Sequence, residues 1–155
     1  DFDSLIEKKT FNILVLGGSQ GALAINTVVP ELLADIDNAS VCVVHQAGKG
    51  KVDQTRQAYE SAGLSLGGQY NVQAFVSDMA SAYDWADLVI CRSGASTVCE
   101  IAAAGKASIL IPYPYHRDKQ QTRNANWLAS EKAAIIIEQA ELTAVALSGH
   151  VKCLL

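Results

Sequence analysis

Apolar runs of strand length alternate along this chain with longer stretches whose apolar residues recur at helical spacing. The runs fall at residues 11–16, 41–45, 71–75, 87–91, 108–111 and 134–137. Several are almost continuous in apolar residues, the pattern of parallel strands covered on both faces rather than of a half-exposed sheet. The segments between them predict helices over 21–34, 51–62, 95–104 and 118–130, a short one at 78–83, and a last one from about Glu141. Such alternation predicts an α/β fold: a doubly wound, parallel, six-stranded Rossmann-like sheet with right-handed crossovers. Residues 63–69, with three glycines, read as a surface turn.

The ends break the pattern. Residues 1–10 are polar and read as the remnant of a linker, which leaves 11–155 as one domain. Residues 151–155 stop inside an amphipathic stretch with no cap or stop signal, so the expectation is a domain truncated at its C-terminus and cut from a longer protein.

Composition narrows the chemistry. A chain of 155 residues can bury a sizeable core, and its net charge of −4 lacks the clustered Lys and Arg that binding to nucleic acid requires. Cys42, Cys91, Cys99 and Cys153 form no C-x-x-C pair and no Cys/His ligand set, so no metal site or redox motif is indicated. Cys42 and Cys91 sit in strand-like runs and read as small core hydrophobes. With no signal peptide and no apolar run of about 18 residues, the chain reads as cytoplasmic.

The segment Arg92-Ser93-Gly94-Ala95-Ser96-Thr97-Val98-Cys99-Glu100 follows the fourth strand and opens a helix. Small residues there leave backbone N–H groups uncovered at a helix start, a seat for a phosphate or diphosphate. Glu100, further into the same helix, is placed to accept hydrogen bonds from a ribose diol. Gly17-Gly18-Ser19-Gln20-Gly21-Ala22 follows the first strand, where glycine permits a tight turn and close approach of a ligand. Its spacing departs from the dinucleotide fingerprint, and His45-Gln46 ends the second strand where an acidic ribose ligand would stand, so a nicotinamide cofactor is disfavoured. Gly48-Lys49-Gly50 follows the wrong element to be a P-loop.

Two other segments carry polar chemistry near strand ends. Phe75-Val76-Ser77-Asp78-Met79 leaves the third strand, whose tip is expected near that of the fourth, so its backbone can meet the edge of a base; Asp78 reads as a helix cap. Gln121 and Asn124 share a helix face, and their amides suit sugar hydroxyls, although a solvated face capped by Asp118 would look the same. His45, His116 and His150 have no evident catalytic partner, Trp85 and Trp127 read as core or interface aromatics, and no carboxylate pair stands out for acid–base work.

Taken together these segments resemble the carboxyl-terminal, donor-binding domain of the MurG family, the transferases that move N-acetylglucosamine from UDP-N-acetylglucosamine to lipid I. The resemblance covers nearly the whole chain and rests on 17–22, His45 to Lys49, 75–79 with Tyr83 and Ala86-Asp87, 92–100 with Ala103-Ala104-Gly105, Pro112, and Gln121 with Asn124-Ala125. It implies one half of a two-domain (GT-B) inverting glycosyltransferase that uses no metal or cofactor. It further implies donor contacts from Ser19, Val76, Ala95, Ser96, Thr97, Val98, Cys99, Glu100 and Gln121, with Gly18, Gln20, Met79, Arg92, Gly94, Gln120 and Asn124 as secondary positions. In that reading Ser19 approaches the diphosphate and sugar, the Val76 backbone reads uracil, Ala95, Ser96 and Thr97 hold the diphosphate, Glu100 holds the ribose, and Gln121 recognises the sugar.

Two departures accompany it. Many relatives carry His-Gln where Gln120-Gln121 stands, and broader nucleotide-sugar transferases carry His-x-Gly where Arg92-Ser93-Gly94 stands; the Arg form of this chain favours the peptidoglycan branch. The resemblance also implies an acceptor half, absent from these residues, that would supply the lipid I site, the general base and the contact with the inner face of the bacterial membrane. No catalytic residue is therefore expected in this chain, which by itself should turn nothing over. The alternatives are a transferase or epimerase of the same architecture with another UDP-sugar, or a nonenzymatic nucleotide-binding module.

Overall fold

The computed structural model describes residues 10–18, 21–36 and 40–155. In chain order the elements are β1 (Phe11–Leu16), α1 (Leu23–Asp35), β2 (Val41–Gln46), α2 (Val52–Ser61), β3 (Tyr70–Gln73), α3 (Met79–Trp85) and β4 (Leu88–Cys91). There follow α4 (Ala95–Ala104), β5 (Ala107–Leu110), α5 (Gln120–Ser130), β6 (Ala134–Ile136) and α6 (Ala144–Lys152). All neighbouring strands pair in parallel, in the order β3-β2-β1-β4-β5-β6. This is the expected six-stranded doubly wound sheet. The expected linker at 1–10 lies, apart from Thr10, outside the described residues.

Period-two alternation on the central strand explains the layering. Ile13 and Val15 of β1 face a core shared with Ile25, Val29 and Leu32 of α1 and with Leu147 and Val151 of α6. Leu14 and Leu16 face the opposite way, into a core with Tyr83 of α3, Val98 and Ile101 of α4, and Leu128 of α5. Burial of both faces accounts for the unbroken apolar runs. Lys152 pins α6 to α1 through Asp35, at 2.8 Å, and Ser148 donates to the same carboxylate.

Several expectations require correction. β3 is the edge strand, with β2 and β1 between it and β4, so its tip does not adjoin that of β4; the chain instead returns through 74–78 into α3, which packs beside α4. The first helix begins at Leu23 because Gly18 and Gly21 adopt φ of 79° and 74°, outside the helical region. The fifth begins at Gln120 because Lys119 is left-handed at φ 49°, and Asp118 accepts from the Gln120 N–H instead of capping a longer helix. The last begins after Thr143, whose hydroxyl accepts from the Ala146 N–H. Of the two tryptophans read as core or interface aromatics, Trp85 is partly buried against the second cluster, and Trp127, 57% exposed, stands outside the core. Cys91 is buried as expected, while Cys42 is only half-buried. Among the described residues no helix is long and apolar enough to cross a membrane.

Candidate functional site

Connections from β1 leave toward β2, and those from β4 leave toward β5, so a crevice opens at the carboxyl ends of this central pair. A cavity of about 900 Å³ occupies it. Its walls are the glycine loop (Gly17, Gly18, Gly21), the start of α4 (Gly94, Thr97), and Arg92, Tyr113 and Gln121. Ser19 and Gln20 lie outside the described residues, between glycines that line the cavity.

The start of α4 is built to leave its N–H groups exposed. Gly94, in extended conformation, stands at the cap position, and no side chain caps the helix. The Val98 N–H makes the first turn's bond to the Gly94 carbonyl at 3.0 Å, so the N–H groups of Ala95, Ser96 and Thr97 precede the ladder. Ala95, Ser96 and Cys99 are exposed and Thr97 half-exposed, but Val98 buries its side chain in the second core. An anion here gains on the order of 0.3–1 kcal/mol from the helix dipole, before any direct hydrogen bonds.

Ser93, in the sequence one small residue of a motif, is the anchor of that loop. It is wholly buried; its hydroxyl donates to the Gln121 carbonyl at 2.7 Å, and its carbonyl accepts from Asn124 Nδ2 at 3.0 Å. Gln121 and Asn124 thus share a face as expected, and both hold the turn that opens α4. Gln121 Oε1 accepts from the Tyr113 N–H at 2.9 Å and the Ser93 N–H at 3.3 Å. Two backbone donors fix the oxygen there, which leaves Gln121 Nε2 as its donor for a ligand. Gln120 is exposed one residue earlier.

Arg92 is a clamp across the sheet tips. Its guanidinium donates to the carbonyls of Ile111 and Pro112, at 3.2 and 3.3 Å, and to Gln139 Oε1, and it lies 5.6 Å from the Tyr113 ring centre. These contacts join the ends of β4 and β5 to the turn after β6 while keeping a cation beside the cavity.

On the other side of α4 the remaining candidates gather around α3. Asp78 caps α3, accepting from the Ser81 N–H at 3.0 Å and the Ser81 hydroxyl at 2.7 Å, and these bonds hold its carboxyl below the usual range. Met79 is half-buried against the second core. Val76 is buried, and its N–H donates to Gln46 Oε1 at 2.8 Å. Gln46, notable in the sequence for not being acidic, therefore shapes the loop after β3. Glu100 is exposed, about a turn and a half into α4, and accepts from the Tyr83 hydroxyl at 2.9 Å. Val76, Met79 and Glu100 lie outside the cavity lining, so the candidates form two groups, one on either side of the start of α4.

A buried polar network beneath the glycine loop had no signal in the sequence beyond an unremarkable histidine. Asn26 Nδ2 donates to the Ala47 carbonyl at 2.9 Å, which turns its Oδ1 toward His45 Nε2, also at 2.9 Å. Nε2 therefore carries the proton, and Nδ1 accepts from the Tyr59 hydroxyl at 2.9 Å. Burial holds His45 neutral, its pKa pushed down to about 3. Among the described residues no cluster of His, Cys, Asp and Glu is arranged to hold a metal ion.

Residues 12–155 match the glycosyltransferase family 28 C-terminal domain. A UDP-N-acetylglucosamine–N-acetylmuramyl-(pentapeptide) pyrophosphoryl-undecaprenol N-acetylglucosamine transferase of Psychromonas ingrahamii is 43% identical over 149 residues, which are 96% of this chain and 41% of that protein. The protein of the same name from Actinobacillus pleuropneumoniae is 52% identical over 132 residues, 85% of this chain and 36% of its own length. The crystal structure of Acinetobacter baumannii MurG superposes with a TM-score of 0.83 at 39% identity, covering 94% of this chain and 41% of that one. The calicheamicin glycosyltransferase CalG4, at 15% identity and a TM-score of 0.69, shares the fold alone; 96% of this chain and 35% of that one are covered. The chain thus spans about two fifths of the length of these curated relatives.

Proposed function

The chain belongs to the glycosyltransferase family 28 C-terminal domain family, and from that membership we propose that it is the donor half of an inverting transferase that moves N-acetylglucosamine from its UDP carrier to lipid I, giving lipid II. The observation that carries this reading is the uncapped start of α4, which opens at Gly94 and Thr97 onto the cavity and carries Glu100 further along the same helix. The diphosphate docks on the N–H groups of Ala95, Ser96 and Thr97. Its nucleoside runs over α4, with the ribose diol on Glu100 and the base at Val76. Because Gln46 already holds the Val76 N–H, the Val76 carbonyl is the group that accepts from a base N–H.

The sugar occupies the cavity between the glycine loop and Gln121, whose Nε2 donates to a hydroxyl. Ser19, in the glycine loop, approaches the diphosphate and the sugar. In the reaction the C4 hydroxyl oxygen of the acceptor's muramyl sugar forms a bond to the anomeric carbon, the bond from that carbon to the diphosphate oxygen breaks with inversion, and UDP leaves. The hydroxyl proton passes to a base supplied with the acceptor. What this chain contributes is placement of the donor and stabilisation of the negative charge growing on the diphosphate, by a helix start that needs no reorganisation.

The acceptor and the inner-membrane surface that presents it are met by the part of the relatives' length that this chain does not span. Titration calorimetry of the chain with UDP and a panel of UDP-sugars tests the proposal. Binding of UDP, preference for the N-acetylglucosamine form, and no sugar transfer by the chain alone are expected; no heat and no thermal shift with millimolar nucleotide would leave only a nonenzymatic module.

A further inference from the structure

The hydrogen bond from Tyr83 to Glu100 links α3 to α4, and it joins residues of opposite character. Tyr83 is only 5% exposed, packed in the second core with Val98 and Ile101, so the position of its hydroxyl is dictated by the fold. Glu100 is exposed, and a solvated glutamate otherwise samples several rotamers. The ring is fixed from two further directions, because Asp78 caps α3 through Ser81 and the preceding loop is tied to the end of β2 by Gln46 and Val76.

We propose that Tyr83 is a positioning residue for nucleoside recognition: its hydroxyl occupies Glu100 Oε2 and thereby holds the carboxylate in one rotamer, with Oε1 turned to accept from a ribose diol. This rests on the assignment of the ribose to Glu100 made above. A carboxylate offers about four acceptor sites, so one bond from tyrosine leaves enough for both hydroxyls of the diol. The arrangement ties ribose recognition to α3, the same element that the base-reading loop feeds, so base and ribose are read by parts of one rigid unit. Burial, and then the nearby carboxylate, raise the Tyr83 pKa above its usual value, which favours the protonated hydroxyl that donates to Glu100.

The test is the ratio of affinities for UDP and 2′,3′-dideoxy-UDP, measured by calorimetry on the chain and on its Tyr83→Phe variant. The phenyl ring fills the same core space, and any unfolded fraction lowers both affinities equally, so the ratio reports the diol contact alone. The chain should favour UDP, and Tyr83→Phe should weaken UDP by about three- to tenfold while leaving the dideoxy compound unchanged. An unchanged ratio in Tyr83→Phe would overturn the positioning role while leaving the ribose assignment intact. A chain that binds both nucleotides equally before any substitution would overturn the ribose assignment itself. Glu100→Asp provides a second variant, since it keeps the charge but shortens its reach: it should lose the same discrimination, and full retention would count against the proposal.

Discussion

Gly21 stands so close to Ala47 that a Cβ at position 21 would lie 2.2 Å from the Ala47 carbonyl oxygen. That oxygen is itself held by Asn26, whose amide is held by His45, so the glycine loop rests on the buried network beneath it. Gly21 also adopts φ 74°, a region costly for any residue with a side chain. Gly21→Ala should therefore destabilise the chain by roughly 2–4 kcal/mol and weaken nucleotide binding as the loop is displaced. Paired thermal melts and UDP titrations check this; Gly18→Ala, with positive φ but open space around it, should cost less.

His45 makes stability depend on pH in a specific window. Its folded pKa of about 3 lies below the ordinary 6.5, so the folded chain refuses a proton that the unfolded chain accepts. Stability from this residue is complete above pH 6.5 and falls as the pH drops toward 3. Between pH 7 and 5.5 the loss should be about 1 kcal/mol. Urea denaturation at the two pH values measures it, and His45→Gln should flatten the difference while lowering stability at both.

Gln121 has one half of its amide committed to the fold. Gln121→Ala removes an acceptor from the Ser93 and Tyr113 N–H groups as well as a donor from the cavity. We expect a stability loss of about 1 kcal/mol. The preference for UDP-N-acetylglucosamine over other UDP-sugars should fall more than the affinity for UDP does, which competition binding among these nucleotides reads directly.

Much of this arrangement was legible because it is local. The strand-to-helix turn at Gly94, the cap at Asp78 and the shared face of Gln121 and Asn124 each follow from residues a few positions apart. What escaped the sequence joins residues remote in it: Gln46 to Val76, Ser93 to Gln121, Tyr83 to Glu100, and Asn26 to His45. A buried serine looks like any small residue until the helix that satisfies it is in place, and a tyrosine in an apolar helix gives no sign of where its hydroxyl reaches. The misplacement of the β3 tip has the same origin, since strand order depends on how crossovers stack and not on any one strand's composition.

A diphosphate on the start of α4, with its nucleoside along the same helix, would perturb a contiguous set of backbone amides. Titrating the isotopically labelled chain with UDP and following its backbone amides by NMR reads that set residue by residue. The largest shifts are expected at Ala95, Ser96 and Thr97, with smaller ones at Glu100 and around Val76, saturating together. No shifts with millimolar UDP, or shifts confined to residues away from α4 and the loop after β3, would contradict it.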